Sequence, residues 1–179
     1  MAEDSYRMLS QHSKVVFAAN DAVTPLSVED IEFLKRIADS SPQKKARILM
    51  HADPSRSLHE MLIVHTRGSY IQPHINADSA KSFLVLSGEM VVFLFDDVGS
   101  IKECHRMCAN SGSGIFMLRL EEPVYHTLVV LTNTVVFLET VLGPHQQTRY
   151  GSFSPKPTEK GAVQEYMTWL ERQAGIAKP

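Results

Sequence analysis

The chain has 179 residues, 44% of them apolar and 21% charged, which excludes a disordered polymer and leaves room for one domain with a substantial core. With 18 Lys plus Arg against 20 Asp plus Glu, the formal net charge of -2 draws neither nucleic acid nor anionic lipid, so the expected partners are small molecules or protein, with no nucleic acid and no membrane. Cys104 and Cys108 are too few for a disulfide framework, and with no apolar leader or long apolar span the expected setting is reducing and cytoplasmic.

Residues 1–24 read as an N-terminal arm, polar and aperiodic through residue 14, with a short apolar run at Val15, Val16 and Phe17 that suits an edge strand. Residues 25–45 form a helix region. Ser27 precedes Glu29 and Asp30, an N-cap with acidic residues in the positive first turn, and Ile31, Leu34 and Ile37 give an apolar stripe that Ser40, Ser41 and Pro42 end.

Over residues 46–145 the period changes to two, with short apolar runs between turn residues, the pattern of an all-β barrel or sandwich. The clearest strands are 61–66, 69–76, 82–87, 90–95, 115–120, 126–131 and 134–142. Asp96, Asp97 and Gly99 mark a hairpin turn. The tail, 146–179, passes Pro155 and Pro157 and ends in a helix whose Val163, Tyr166, Met167 and Leu170 lie at i, i+3, i+4 and i+7, one stripe able to dock on the barrel.

Alternation along 69–76 sends Tyr70, Gln72, His74 and Asn76 to one face. Polar side chains pointing together into a barrel indicate a site, and His126 reaches a comparable depth if its strand runs beside the first.

The segment 68–88, with Gly68, His74 and Gly88, resembles the first motif of the cupin superfamily, and 121–126, ending in His126, resembles the second. The stretches ARILMH, FLVLSGEMVVFLFDD, VYHTLVVL and FLETVLGP are more closely similar to the WbuC-type cupins associated with bacterial surface-polysaccharide clusters. The resemblance covers residues 25–172. It implies a jelly-roll, double-stranded β-helix barrel with an N-terminal and a C-terminal helix and, as is common for cupins of this size, a homodimer, across whose interface the apolar 15–17 run suits pairing as an edge strand.

In metal-holding cupins two histidines and a glutamate of the first motif join the histidine of the second around the ion. Here Asn76 stands at the second histidine position and Lys81 at the glutamate position, while His74 and His126 remain. Asn offers a neutral oxygen that suits harder ions, and a protonated Lys has no lone pair. An ammonium ~4 Å from a divalent cation repels it by roughly 8 kcal/mol at an effective dielectric of 20. The expectation is therefore no cofactor, with Lys81 in the cation's place attracting an anionic group. The alternative is a divalent transition metal on a weakened site of His74 and His126.

Other candidate ligand-binding residues are Gln72, Asn76, Tyr125, Glu139, Arg47 and His51. Glu139, a carboxylate in an apolar run, calls for a cationic partner such as Lys81 or an Arg. If the protein is an enzyme, His74 or His126 would be the base and Tyr70 or Tyr125 the acid. His12, His59, His65, His105 and His145 show no spacing for a metal or a triad and read as structural or solvent-facing. Ser111, Gly112, Ser113 and Gly114 read as a turn, and Cys104 and Cys108 as incidental. The leading expectation is a barrel binding a small anionic or sugar-derived ligand. The alternatives are a metal-free sugar isomerase or epimerase and a metal-dependent enzyme of surface-polysaccharide biosynthesis.

Overall fold

Alternating apolar residues must bury one face of each strand, and here they do so between two sheets. The computed structural model describes residues 9–51, 53–76, 80–109, 114–144 and 147–175. One sheet runs in the order β1 (Leu9–Ser13), β2 (Val16–Ala19), β3 (Lys45–Leu49), β4 (Leu58–Thr66), β11 (Thr134–Leu142), β6 (Lys81–Ser87) and β9 (Met117–Leu120). The facing sheet runs β12 (Thr148–Tyr150), β5 (His74–Asn76), β10 (Tyr125–Val130), β7 (Glu89–Phe95) and β8 (Ile101–Cys108). All neighbours pair antiparallel except β2 and β3, which are parallel.

The inner faces meet in a core that includes Ile63, Phe83, Val85, Met90, Val92, Leu128 and Phe137. Each helix covers the outside of one sheet. In α1 (Val28–Ser40) the Ser27 backbone N–H donates to Asp30 Oδ2 at 2.7 Å, fixing the helix start where Ser27 predicts it. Leu34 and Ala38, both fully buried, then pack on Ala46, Ile48, Leu62 and Val64 of β3 and β4. In α2 (Lys160–Gln173) Met167 and Leu170 pack against Val91, Phe93, Phe95 and Val129 of the other sheet. No described helix is long and apolar enough to cross a membrane.

Several expectations change. Residues 9–13 are not a loose arm but the edge strand β1, and β2 lies between β1 and β3, so Val16 and Phe17 are paired on both sides and do not form an edge. Val15 also gives its carbonyl to Arg47 N at 2.9 Å. The strand expected over 69–76 contracts to His74–Asn76. Pro73 has no N–H for a ladder, and the preceding segment is tied instead by Thr127 Oγ1 donating to the Ile71 carbonyl at 2.5 Å. Cys104 and Cys108, both free thiols, belong to the regular strand β8. At the β6–β7 corner Gly88 has φ of 78°, and a Cβ there would stand 2.2 Å from the Thr134 carbonyl oxygen. Residues 111–113 of the expected glycine-rich turn, and His145, lie outside the described residues.

Candidate functional site

Between the sheets lies a cavity of about 830 Å³, a size that suits a small organic ligand. Period-two geometry decides who lines it. On β4, His59, Met61, Ile63 and His65 face inward, while Leu62 and Val64 face α1. Lys45 and Arg47 share the inward face of β3, with Lys45 directly opposite His65 and Arg47 opposite Ile63. From the other sheet come Gln72, His74, Asn76 and His126, and from β11 and β12 come Glu139 and Tyr150.

His74 and His126 sit directly opposite each other across the β5–β10 pair, with ring centroids 4.6 Å apart. His74 Nδ1 lies 3.0 Å from the Gln72 carbonyl and His126 Nδ1 lies 2.9 Å from the Val124 carbonyl. A carbonyl only accepts, so each Nδ1 carries the hydrogen and each Nε2 presents a lone pair. Both rings are held neutral: burial, then the Lys81 charge, lowers His74 to about 4, and the same two causes hold His126 well below the usual imidazole range.

The Nε2 lone pair of His126 is already taken, by Lys81 Nζ at 3.1 Å. The same ammonium lies 3.4 Å from Glu139 Oε1, with the two side chains 3% and 17% exposed, so this carboxylate in an apolar strand has the cationic partner its burial requires. Lys81 Nζ also lies 5.6 Å from the centroid of the Phe83 ring.

This donor set does not fit the metal that a cupin-like motif implies. One of the two retained imidazoles directs its lone pair at an ammonium, and Asn76 offers a neutral oxygen, its Oδ1 buried and without a hydrogen-bond partner among the described residues. Among the described residues no group of three His, Cys, Asp or Glu side chains is placed to hold a metal ion.

Gln72, His74, Asn76, His126, Glu139, Arg47 and His51 all line the cavity, and Tyr70 borders it. Lys81 is buried and is not part of the cavity wall. Tyr125 is a correction: it precedes His126, so alternation turns it to the outer face of β10, where it packs edge-on to Phe153 in the cluster under α2. Tyr70 is a second correction as a proton donor, because its hydroxyl donates to the Pro155 carbonyl at 2.7 Å and burial raises its pKa to about 12. The surface reading holds for His12 and His105, which bond to Ser10 and Glu103.

His59 and His65 were not expected in the site. Their signal was parity, since both share the inward register of Met61 and Ile63. His65 lies 3.4 Å from Ser69 Oγ, and burial, with the charges of Lys45 and Arg47, lowers its pKa to about 3. His59 stacks on His51 with centroids 4.0 Å apart and planes within 8°, and His51 Nδ1 and His59 Nε2 are buried without partners among the described residues.

A family model described as a domain of unknown function, DUF6016, matches residues 26–107. No curated protein matches the chain. Among solved structures, a conserved Klebsiella pneumoniae protein with a double-stranded beta-helix domain is similar at 13% identity and a TM-score of 0.53, covering 74% of this chain and 95% of that one. Procruciferin, the 11S globulin of Brassica napus, is similar at 15% identity and a TM-score of 0.51, and the coconut allergen cocosin at 12% and 0.52. These cover 62% and 74% of this chain, which spans only 29% and 35% of theirs. With the two facing sheets and their strand order, these likenesses give the chain the double-stranded β-helix fold of the cupins.

Proposed function

We propose that the barrel binds a small anionic or sugar-derived molecule between its sheets, without a resident metal ion. The observation that carries this reading is Lys81 Nζ 3.1 Å from His126 Nε2, a hydrogen-bond donor on the lone pair that would otherwise ligate a metal. The pair of Lys81 with Glu139 keeps that group buried at no need of a bound ion. The WbuC-like stretches of the sequence favour a ligand from surface-polysaccharide chemistry, and β1, the outermost strand of its sheet, is the candidate edge for a homodimer.

His74 favours a second reading, a metal-free isomerase or epimerase. Its neutral Nε2 has no hydrogen-bond partner among the described residues and belongs to the cavity wall, so it would accept a proton from a carbon beside a carbonyl and return it. His126 would not serve, because its lone pair faces Lys81. Nucleotide-linked keto-sugars incubated in heavy water separate the two readings. The binding reading predicts no exchange of carbon-bound hydrogen across the panel, while exchange lost in His74→Gln would establish the enzyme.

A further inference from the structure

The geometry points to Lys45 and Arg47, not Lys81, as the groups that hold the ligand's anionic end. This rests on the reading of the barrel as a binder of a small anion, and it locates the anion.

Lys45 and Arg47 are alternate residues of β3, so both side chains leave the same face, about 6.6 Å apart along the strand, and both line the cavity. Neither has a carboxylate within ion-pair distance among the described residues. Elsewhere such partners are common: Lys35 has Glu32, Lys44 has Asp39, Arg106 has Glu89 and Arg119 has Glu121. Lys81 has Glu139, so the one carboxylate that the described residues give the cavity wall is already engaged.

Since the imidazoles of His65, His74 and His126 are neutral, two positive charges remain on this wall without a compensating carboxylate among the described residues. They act on their surroundings: Lys45 is lowered from its ordinary value by burial and by Arg47, and both cations depress His65. A bound oxyanion would relieve that repulsion. The guanidinium fork of Arg47 and the ammonium of Lys45 suit a carboxylate or a phosphate, which present the same paired oxygens.

The facing sheet supplies the opposite chemistry. Among the described residues Asn76 Oδ1 is buried without a donor and His74 Nε2 holds an open lone pair. Both are acceptors, so they complement hydroxyl groups. The ligand class is therefore a hydroxylated acid: an oxyanion at β3 and hydroxyl donors at β5.

The test is calorimetric titration of the full chain at low salt with D-gluconate, D-glucose 6-phosphate and uncharged D-glucose. Wild type should bind one or both oxyanions and bind D-glucose at least about tenfold more weakly, since a charged anchor is missing. Lys45→Met and Arg47→Gln should each lower oxyanion affinity by at least about tenfold, whereas Lys102→Gln on β8, which removes one charge elsewhere, should not. If Lys45→Met fails to fold, Arg47→Gln alone decides, because Arg47 is exposed. Gluconate against the phosphate ester distinguishes the two oxyanions. Oxyanion binding that survives in both variants, or is lost only in Lys81→Met, would overturn this assignment and leave the proposed function standing. Wild type that binds neither oxyanion, or binds D-glucose equally well, would overturn both.

Discussion

Lys81 decides the chemistry of this cavity because one buried ammonium satisfies a histidine lone pair and a carboxylate together. Its field, added to burial, keeps His74 and His126 neutral, while Lys45 and Arg47 act in the same way on His65. In the unfolded chain all three histidines titrate near 6.5. Between that pH and about 4 the unfolded state therefore binds more protons than the folded one, so folding stability is complete above 6.5 and falls as the pH drops. The slope should approach 1.4 kcal/mol per pH unit for each histidine, as an order of magnitude. Urea midpoints measured from pH 8 to pH 4.5 should be flat at first and then decline steeply, and a flat profile through pH 5 would show that these imidazoles are not buried neutral. The partnership of Glu139 with a cation was legible from a lone acid in an apolar run. The roles of His59, His65 and Lys45 were not, because a site assembled by strand register leaves no local spacing to read.

At the scale of elements, the sequence was clearest where burial is strongest. The 134–142 run, the stripes of α1 and α2 and the Asp96 hairpin all appear in the structure where apolar periodicity or turn chemistry put them, the last with Asp96 Oδ1 accepting from Val98 and Ser100. Edge strands β1 and β12 were invisible, since strands with mostly exposed side chains have no need of apolar alternation. The contraction of β5 followed from Pro73, whose ladder deficit outweighs the alternation around it. The β6–β7 corner is the sharpest local constraint. Gly88→Ala combines a positive φ with a Cβ 2.2 Å from the Thr134 carbonyl and should cost at least about 2 kcal/mol. Gly161→Ala in the first turn of α2, where a Cβ meets nothing within 4 Å, should stabilise by at most about 1 kcal/mol. Urea unfolding of both variants checks the pair, and equal stability of the two would contradict the account of the corner.

For the molecule as a whole, a near-neutral charge count conceals a local imbalance. The surface carries paired ions, while the cavity wall holds Lys45 and Arg47 without an ion-pair partner among the described residues, its Glu139 being engaged by Lys81, and burial keeps His65, His74 and His126 uncharged. That imbalance is what the proposed binding of an anion rests on, since the fold's relatives by shape range from a bacterial protein to a plant 11S globulin and leave function to the site. The central claim is that a lysine ammonium occupies the place of a metal cation. Elemental analysis of untagged protein, purified without added metal and then again after exposure to iron, nickel, manganese and zinc, tests it most directly. The account predicts no stoichiometric transition metal in either sample, and one tightly held ion per chain, lost on His74→Ala or His126→Ala, would contradict it.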